Sequence, residues 1–177
     1  MAGMWAVPEP GARDASIAIM AEWEMRPATE ADVEVVAELR AVVLRADLER
    51  LGRYDEQRVR QRLRDGFSAA NTWVIEVGGG FAGCVALRPA ADAHWLEHFY
   101  LDPAVQGRGV GGAVLRTLLG RCDRDGLRVR LIVLRGSAAA GLYERHGFTP
   151  ERDDEVDVVM VREPAAVPAG AAPARRP

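Results

Sequence analysis

Lysine is missing altogether: the 177-residue chain draws all 23 of its basic side chains from arginine. That absence excludes a Gly-Lys-Ser/Thr phosphate loop, and we read it as a composition bias of the source rather than as a function. Cysteine is almost as scarce. Cys84 and Cys122 form no Cys-x-x-Cys, so zinc ribbons and paired-thiol redox motifs are out; the sequence leaves open whether the two pair with each other. Two isolated thiols fit a reducing cytoplasm, where they act as small apolar groups. A positive excess is lacking too. Acidic residues number 26 and the formal net charge is -3, which argues against a general nucleic-acid or membrane-surface binder. No apolar run approaches a membrane span, and the first residues lack the basic start and continuous apolar core of a secretion signal. The expectation is a cytoplasmic protein with no nucleic-acid and no membrane partner.

What the sequence does contain is 49% hydrophobic and 28% charged residues, the mixture of a globular chain long enough to bury a core. Residues 1–20, with Pro8, Pro10 and Gly11, read as a flexible leader. The Ala/Pro-rich stretch 164–177 reads as a disordered tail. Between them, 21–163 reads as one domain. A strand is expected over 21–26. Thr29-x-x-Asp32 reads as a capping box opening a helix with Val33, Val36, Ala37 and Arg40 in one register. A second helix is expected over about 55–64, and a hairpin over 72–77 and 81–87 around Gly78-Gly79-Gly80. Further strands are expected at 94–101, 128–134 and 156–161, with helices at 111–124 and 138–146. Trp73 and Phe81 flank the hairpin and are expected to pack in the core. The order implies a mixed α+β fold, a sheet flanked by helices.

The stretch that carries chemistry runs from Trp95 to Gly112. A strand ends at Asp102-Pro103, and a turn with glycines at 107, 109, 111 and 112 opens the next helix. Missing side chains let a ligand approach the backbone N–H groups, and the helix dipole favours an anion there, which suits a pyrophosphate. Gly107-x-Gly109-x-x-Gly112 also matches the dinucleotide fingerprint. That reading needs the first strand of the fold and an acidic residue about 20 positions on. Here the strand comes late, and Leu131-Ile132-Val133-Leu134 offers no carboxylate.

Gln106-x-x-Gly109-x-Gly111 after an Asp-Pro strand end resembles the acyl-CoA pyrophosphate loop of the GNAT N-acetyltransferase superfamily. About 30 residues on, Leu142-Tyr143-Glu144-Arg145-His146-Gly147-Phe148 resembles the L-Y-E-x-x-G-F segment of the same fold. The resemblance extends over about 22–162 and includes Met25-Arg26-Pro27-Ala28. It implies a mostly antiparallel sheet of six to seven strands, splayed at the acyl-CoA site, with about four helices. The cofactor arm then lies in the gap as an added strand. By the same resemblance Phe99, Tyr100 and Leu101 offer backbone groups to the pantetheine and the acetyl carbonyl. Gln106, Gly107, Arg108, Gly109, Val110, Gly111 and Gly112 cradle the pyrophosphate.

Tyr143 matches the family's tyrosine near the CoA sulfur, a donor or general acid to the departing thiolate; a phenol of pKa about 10 can donate to a thiolate whose thiol has pKa about 8.5. At helical spacing from Ala139, Leu142 and His146 it has packing as its other reading. Glu97 is the first candidate base, on the face where several family members carry one, with an arginine-paired surface carboxylate as its alternative. His98 is the second; plain strand alternation points it away from Glu97. A base from the following strand is closed off, because the matching residue is Leu131. The asparagine many relatives have seven residues before the tyrosine is Gly136 here, which leaves its task to Ser137 or the backbone.

The resemblance therefore implies an acetyl-CoA-dependent N-acetyltransferase. It would move acetyl to a primary amine of a small molecule or peptide by direct attack in a ternary complex, with acetyl-CoA as co-substrate and no metal. His94 and His98, about 13 Å apart on a strand, cannot share an ion. The alternatives are an inactive acyl-CoA-binding module and a nicotinamide-binding enzyme. A homodimer is the oligomer common in the family. Arg45, Arg50, Arg53 and Arg58 are candidates to attract an acidic acceptor, with plain solvation as the other reading.

Overall fold

A computed structural model describes residues 22–166. The expected leader, and the expected tail beyond residue 166, lie outside the described residues. Seven strands form one sheet: β1 (Trp23–Pro27), β2 (Thr72–Val77), β3 (Gly80–Pro89), β4 (His94–Leu101), β5 (Val129–Leu134), β6 (Thr149–Asp153) and β7 (Asp157–Arg162). Their order is β1-β2-β3-β4-β5-β7-β6, mostly antiparallel with one parallel pair. Four α-helices accompany them: α1 (Val33–Arg50), α2 (Glu56–Gly66), α3 (Val110–Arg124) and α4 (Ala139–Arg145). This is the expected mixed fold. The chain divides into two compact units, 22–88 with 96–111, and 89–95 with 112–166.

In the first unit β1 pairs antiparallel with β2, Trp23 opposite Val77 and Pro27 opposite Trp73. The expected hairpin joins β2 to β3, with a register shift between Ile75 and Glu76. Thr29 caps a single 3₁₀ turn, Glu30–Asp32, before α1 begins. The Asp32 carboxylate accepts the Thr29 N–H at 2.7 Å and both Arg26 Nη atoms at 2.7 and 3.0 Å. Side-chain hydrogen bonds from Arg26 hold the Asp32 carboxyl far below the usual carboxylate range, against the opposing effect of its burial. Arg26 also reaches Glu76, so one guanidinium ties β1 to β2 and to the start of α1. Asp55 caps α2 by accepting the N–H groups of Gln57 and Arg58. Val36, Ala37 and Leu39 of α1, Leu63 of α2, Cys84 of β3 and Tyr100 of β4 make one apolar core, with Val43, Leu44, Phe67 and Phe81 packed against it. Phe81 and Trp73 are half-buried rather than fully in the core.

In the second unit β5 and β6 both pair antiparallel with β7. Val114, Leu115 and Leu118 of α3, Val129 and Leu131 of β5, Met160 of β7 and Phe148 are buried. Arg162 on β7 forms a fork with Asp123 near the end of α3, at 2.7 and 2.8 Å, with both side chains largely removed from solvent. Such a bidentate pair fixes direction as well as distance. The sequence reading missed β6. All five of its residues are exposed, and Thr-Pro-Glu-Arg-Asp shows no apolar alternation.

Candidate functional site

Alternation along β4 is visible in the burial of Leu96 and Tyr100. It is interrupted at His98, whose φ of 50° is the one positive value for a non-glycine among the described residues. Such a backbone costs roughly 1–3 kcal/mol and persists only where the surroundings impose it. Here the His98 carbonyl accepts from the buried Cys84 Sγ at 3.0 Å. The ring lies against α2 at Gly66, with Nδ1 3.5 Å from the Tyr100 hydroxyl. Burial, and then the charge of Arg40, push the imidazole below its ordinary pKa; Glu97 and a hydrogen bond with the Gly66 backbone act the other way. The net direction favours the uncharged ring. Burial also raises the Tyr100 phenol to about 12.

Glu97 takes the alternative course that its sequence context allowed. Its two oxygens accept from Arg88 Nε and Nη2 at 3.0 and 2.7 Å, a bidentate pair on half-exposed side chains. Arg88 was not foreseen as its partner, since nine residues separate the two and only the β3–β4 turn brings them together.

The loop after β4 is built from its own backbone. Asp102 N–H donates to the Ala82 carbonyl at 2.8 Å. The Asp102 carboxylate then accepts the Ala104 N–H at 2.8 Å, and its carbonyl accepts from Val105 and Gln106. The Gln106 side chain donates to the Leu101 carbonyl at 2.8 Å, so its amide braces the loop. Beyond Gln106 the chain needs left-handed conformations at Gly107 (φ 73°) and Gly109 (φ 84°), which glycine adopts without a Cβ penalty. Gly107, Arg108 and Gly109 are exposed, and no backbone bond among the described residues takes up their N–H groups. Val110 is fully buried and anchors the first turn of α3. Exposed donors leading into a helix N-terminus, with Arg108 beside them, can hold a diphosphate.

In the second unit the L-Y-E-x-x-G-F segment is a helix end. His146 and Phe148 N–H groups both donate to the Tyr143 carbonyl, at 2.9 and 3.1 Å, and Gly147 N–H reaches Glu144. Gly147, at φ 86°, reverses the chain in the left-handed manner of a helix C-cap. That reversal returns Phe148 edge-on to the Tyr143 ring, with centroids 5.9 Å apart. Both rings are buried, so the motif's glycine and phenylalanine serve to seat its tyrosine. His146 hydrogen-bonds the Leu142 carbonyl. Leu131 is buried and Gly136 sits in a turn with φ 74°, so neither position supplies a polar side chain. Among the described residues no group of three His, Cys, Asp or Glu side chains can share a metal ion, and both cysteines are free and buried.

Of the basic residues considered for an acidic acceptor, Arg45 pairs with Glu49 and Arg50 with Asp47. Arg53 and Arg58 are exposed.

Residues 68–150 match the family model of the acetyltransferase (GNAT) domain. No curated protein matches the chain. Among solved structures, the PaiA N-acetyltransferase from Thermoplasma acidophilum in complex with coenzyme A has a TM-score of 0.66 at 19% identity, covering 80% of this chain and 99% of that one. The ribosomal-protein-S18-alanine N-acetyltransferase from Escherichia coli follows at 0.64 and 17%, covering 85% and 99%. N-acetylglutamate synthase from Neisseria gonorrhoeae, complexed with coenzyme A and N-acetyl-glutamate, gives 0.58 and 18%, covering 82% of this chain but 36% of that longer one. Both motifs lie within residues 68–150, the segment that is similar to the acetyltransferase (GNAT) domain, and the solved structures share the fold.

Proposed function

We propose that the chain is an acetyl-CoA-dependent N-acetyltransferase acting on a primary amine. The observation that carries this reading is the loop: exposed N–H donors from Gly107 to Gly109, held open by two left-handed glycines and leading into α3. That donor set fits a diphosphate and has no acidic side chain to repel one. Several charge-assisted bonds of about 1.5–3 kcal/mol each suffice to hold a nucleotide. Acetyl-CoA, when bound, supplies an activated acetyl group as a thioester. Coenzyme A in the Thermoplasma and Neisseria structures supports that choice of donor. Phe99, Tyr100 and Leu101 orient it through their backbone, the strand-addition mode. Two buried free thiols support a reducing compartment, the cytoplasm.

The chain's part in the chemistry is proton management. As the amine nitrogen bonds the acetyl carbon and the carbon–sulfur bond breaks, one N–H proton must leave and the sulfur must gain one. Tyr143 donates to the sulfur. For the departing proton, Glu97 would first have to release Arg88. His98 needs no such release. Burial and the charge of Arg40 favour its uncharged form, and its Nδ1 lies 3.5 Å from the Tyr100 hydroxyl. The geometry favours His98 as proton acceptor, with Glu97 second.

Thiol release from acetyl-CoA across an amine panel tests the activity. Tyr143→Phe is expected to lower kcat roughly 10- to 100-fold, the worth of one hydrogen bond to a charged atom, with acetyl-CoA affinity kept; unchanged kcat removes Tyr143 from the chemistry. His98→Asn is expected to lower kcat at least 100-fold, while Glu97→Gln changes it less than about tenfold. The reverse ranking would return the base to Glu97. A chain that binds acetyl-CoA and releases no thiol with any amine is the inactive module, the reading that Gly136 in place of asparagine favours.

A further inference from the structure

Arg40 stands apart from the other arginines of α1. Arg45 and Arg50 each hold an acid one turn away. Arg40 has Val36, Ala37, Val43 and Leu44 at its three- and four-residue neighbours, so its own helix gives it no counter-ion. Its Nε is buried without a hydrogen-bond partner, the one such side-chain atom among the described residues. The guanidinium lies 5.9 Å from the centroid of the Tyr100 ring on β4. Among the described residues no carboxylate pairs with it, although the side chain as a whole is half-buried rather than sealed. Tyr100 itself belongs to the apolar core built from α1, α2, β3 and β4. An unpaired cation on an apolar face is unfavourable unless something pairs it.

We propose that Arg40 is the specificity-determining residue for the acceptor, binding a carboxylate carried by the amine substrate. The acceptor class is then an amino acid or a short peptide presenting its C-terminal carboxylate. This rests on the acetyltransferase reading above. Two features favour a carboxylate over a phosphate. The guanidinium fork matches a planar carboxylate bidentately. A doubly charged phosphate needs a second cation, and among the described residues Arg40 is the one cation set over the Tyr100 ring. The same placement sets the acceptor's amine on the β4 side of α1, where His98 and Tyr100 lie.

The test compares L-amino acids and short peptides with their C-terminal primary amides, as acceptors with acetyl-CoA in the thiol-release assay. Free acids are expected to exceed the amides at least tenfold in kcat/KM. Arg40→Met is expected to erase that ratio by raising KM for the acids about 10- to 100-fold, and Arg40→Lys to restore part of it. Acetyl-CoA should stabilise both variants against heat as it does the parent. Equal rates on acids and amides, or no turnover of any acid, would each overturn the carboxylate site. Loss of acetyl-CoA stabilisation in the parent would instead sink the acetyltransferase reading itself.

Discussion

Gly83→Ala is expected to lower the melting temperature by at least about 6 °C and to abolish stabilisation by acetyl-CoA. A Cβ at Gly83 would stand 2.3 Å from the Tyr100 carbonyl oxygen, 2.9 Å from Leu101 Cδ2 and 3.1 Å from Leu101 Cα. Two of those atoms belong to the backbone, so no rotamer change relieves the clash; β4 must move off β3. Overpacking a core costs about 1–3 kcal/mol, and a main-chain collision belongs at the upper end. In a domain of this size each kcal/mol is worth about 2–4 °C. The displaced residues are those whose backbone the proposed site uses, and the Leu101 carbonyl also anchors Gln106. One methyl group, far from any charge, should thus disturb stability and binding together. A thermal melt with and without acetyl-CoA decides it; an unshifted melt would show that the two strands yield more easily than their spacing implies.

The double change Gly107→Val with Gly109→Val should separate those two effects. Both positions have φ values that β-branched residues scarcely adopt. A side chain at 107 meets nothing within 4 Å, so the fold is not crowded. The loop is expected to relax to another shape, turning its N–H groups away. At 100 times its dissociation constant acetyl-CoA should add about 2.7 kcal/mol to the parent, or roughly 5–11 °C. In the double variant that gain should vanish, while the unliganded melt falls only a few degrees. NAD should shift neither protein. A full acetyl-CoA shift in the variant, or stabilisation of the parent by NAD alone, would move the nucleotide elsewhere.

The amino-acid pattern makes the elements with strong periodicity legible: the capping box at Thr29, the hairpin around Gly78 and the strand 94–101 all form where expected. Both motifs are legible because each encodes a backbone event, a left-handed turn at Gly107 and Gly109 and a helix end at Gly147. What stayed hidden depends on partners remote in sequence or on surfaces without pattern. β6 has no buried residue to mark it. The Arg88 fork on Glu97 requires the β3–β4 pairing before it exists. Arg40 was visible as a member of the apolar register of α1, yet its want of an acid follows only from tertiary structure. The left-handed His98 has no local sequence signature at all.

The outermost strand of the sheet, β6, has one more consequence. Pro150 cannot donate a backbone bond, and Glu151, Arg152 and Asp153 follow it along an exposed rim. A neighbouring molecule that tried to continue the pleat from that rim would meet a missing donor and a row of hydrated charges. That margin is thereby a poor template for a strand from another molecule.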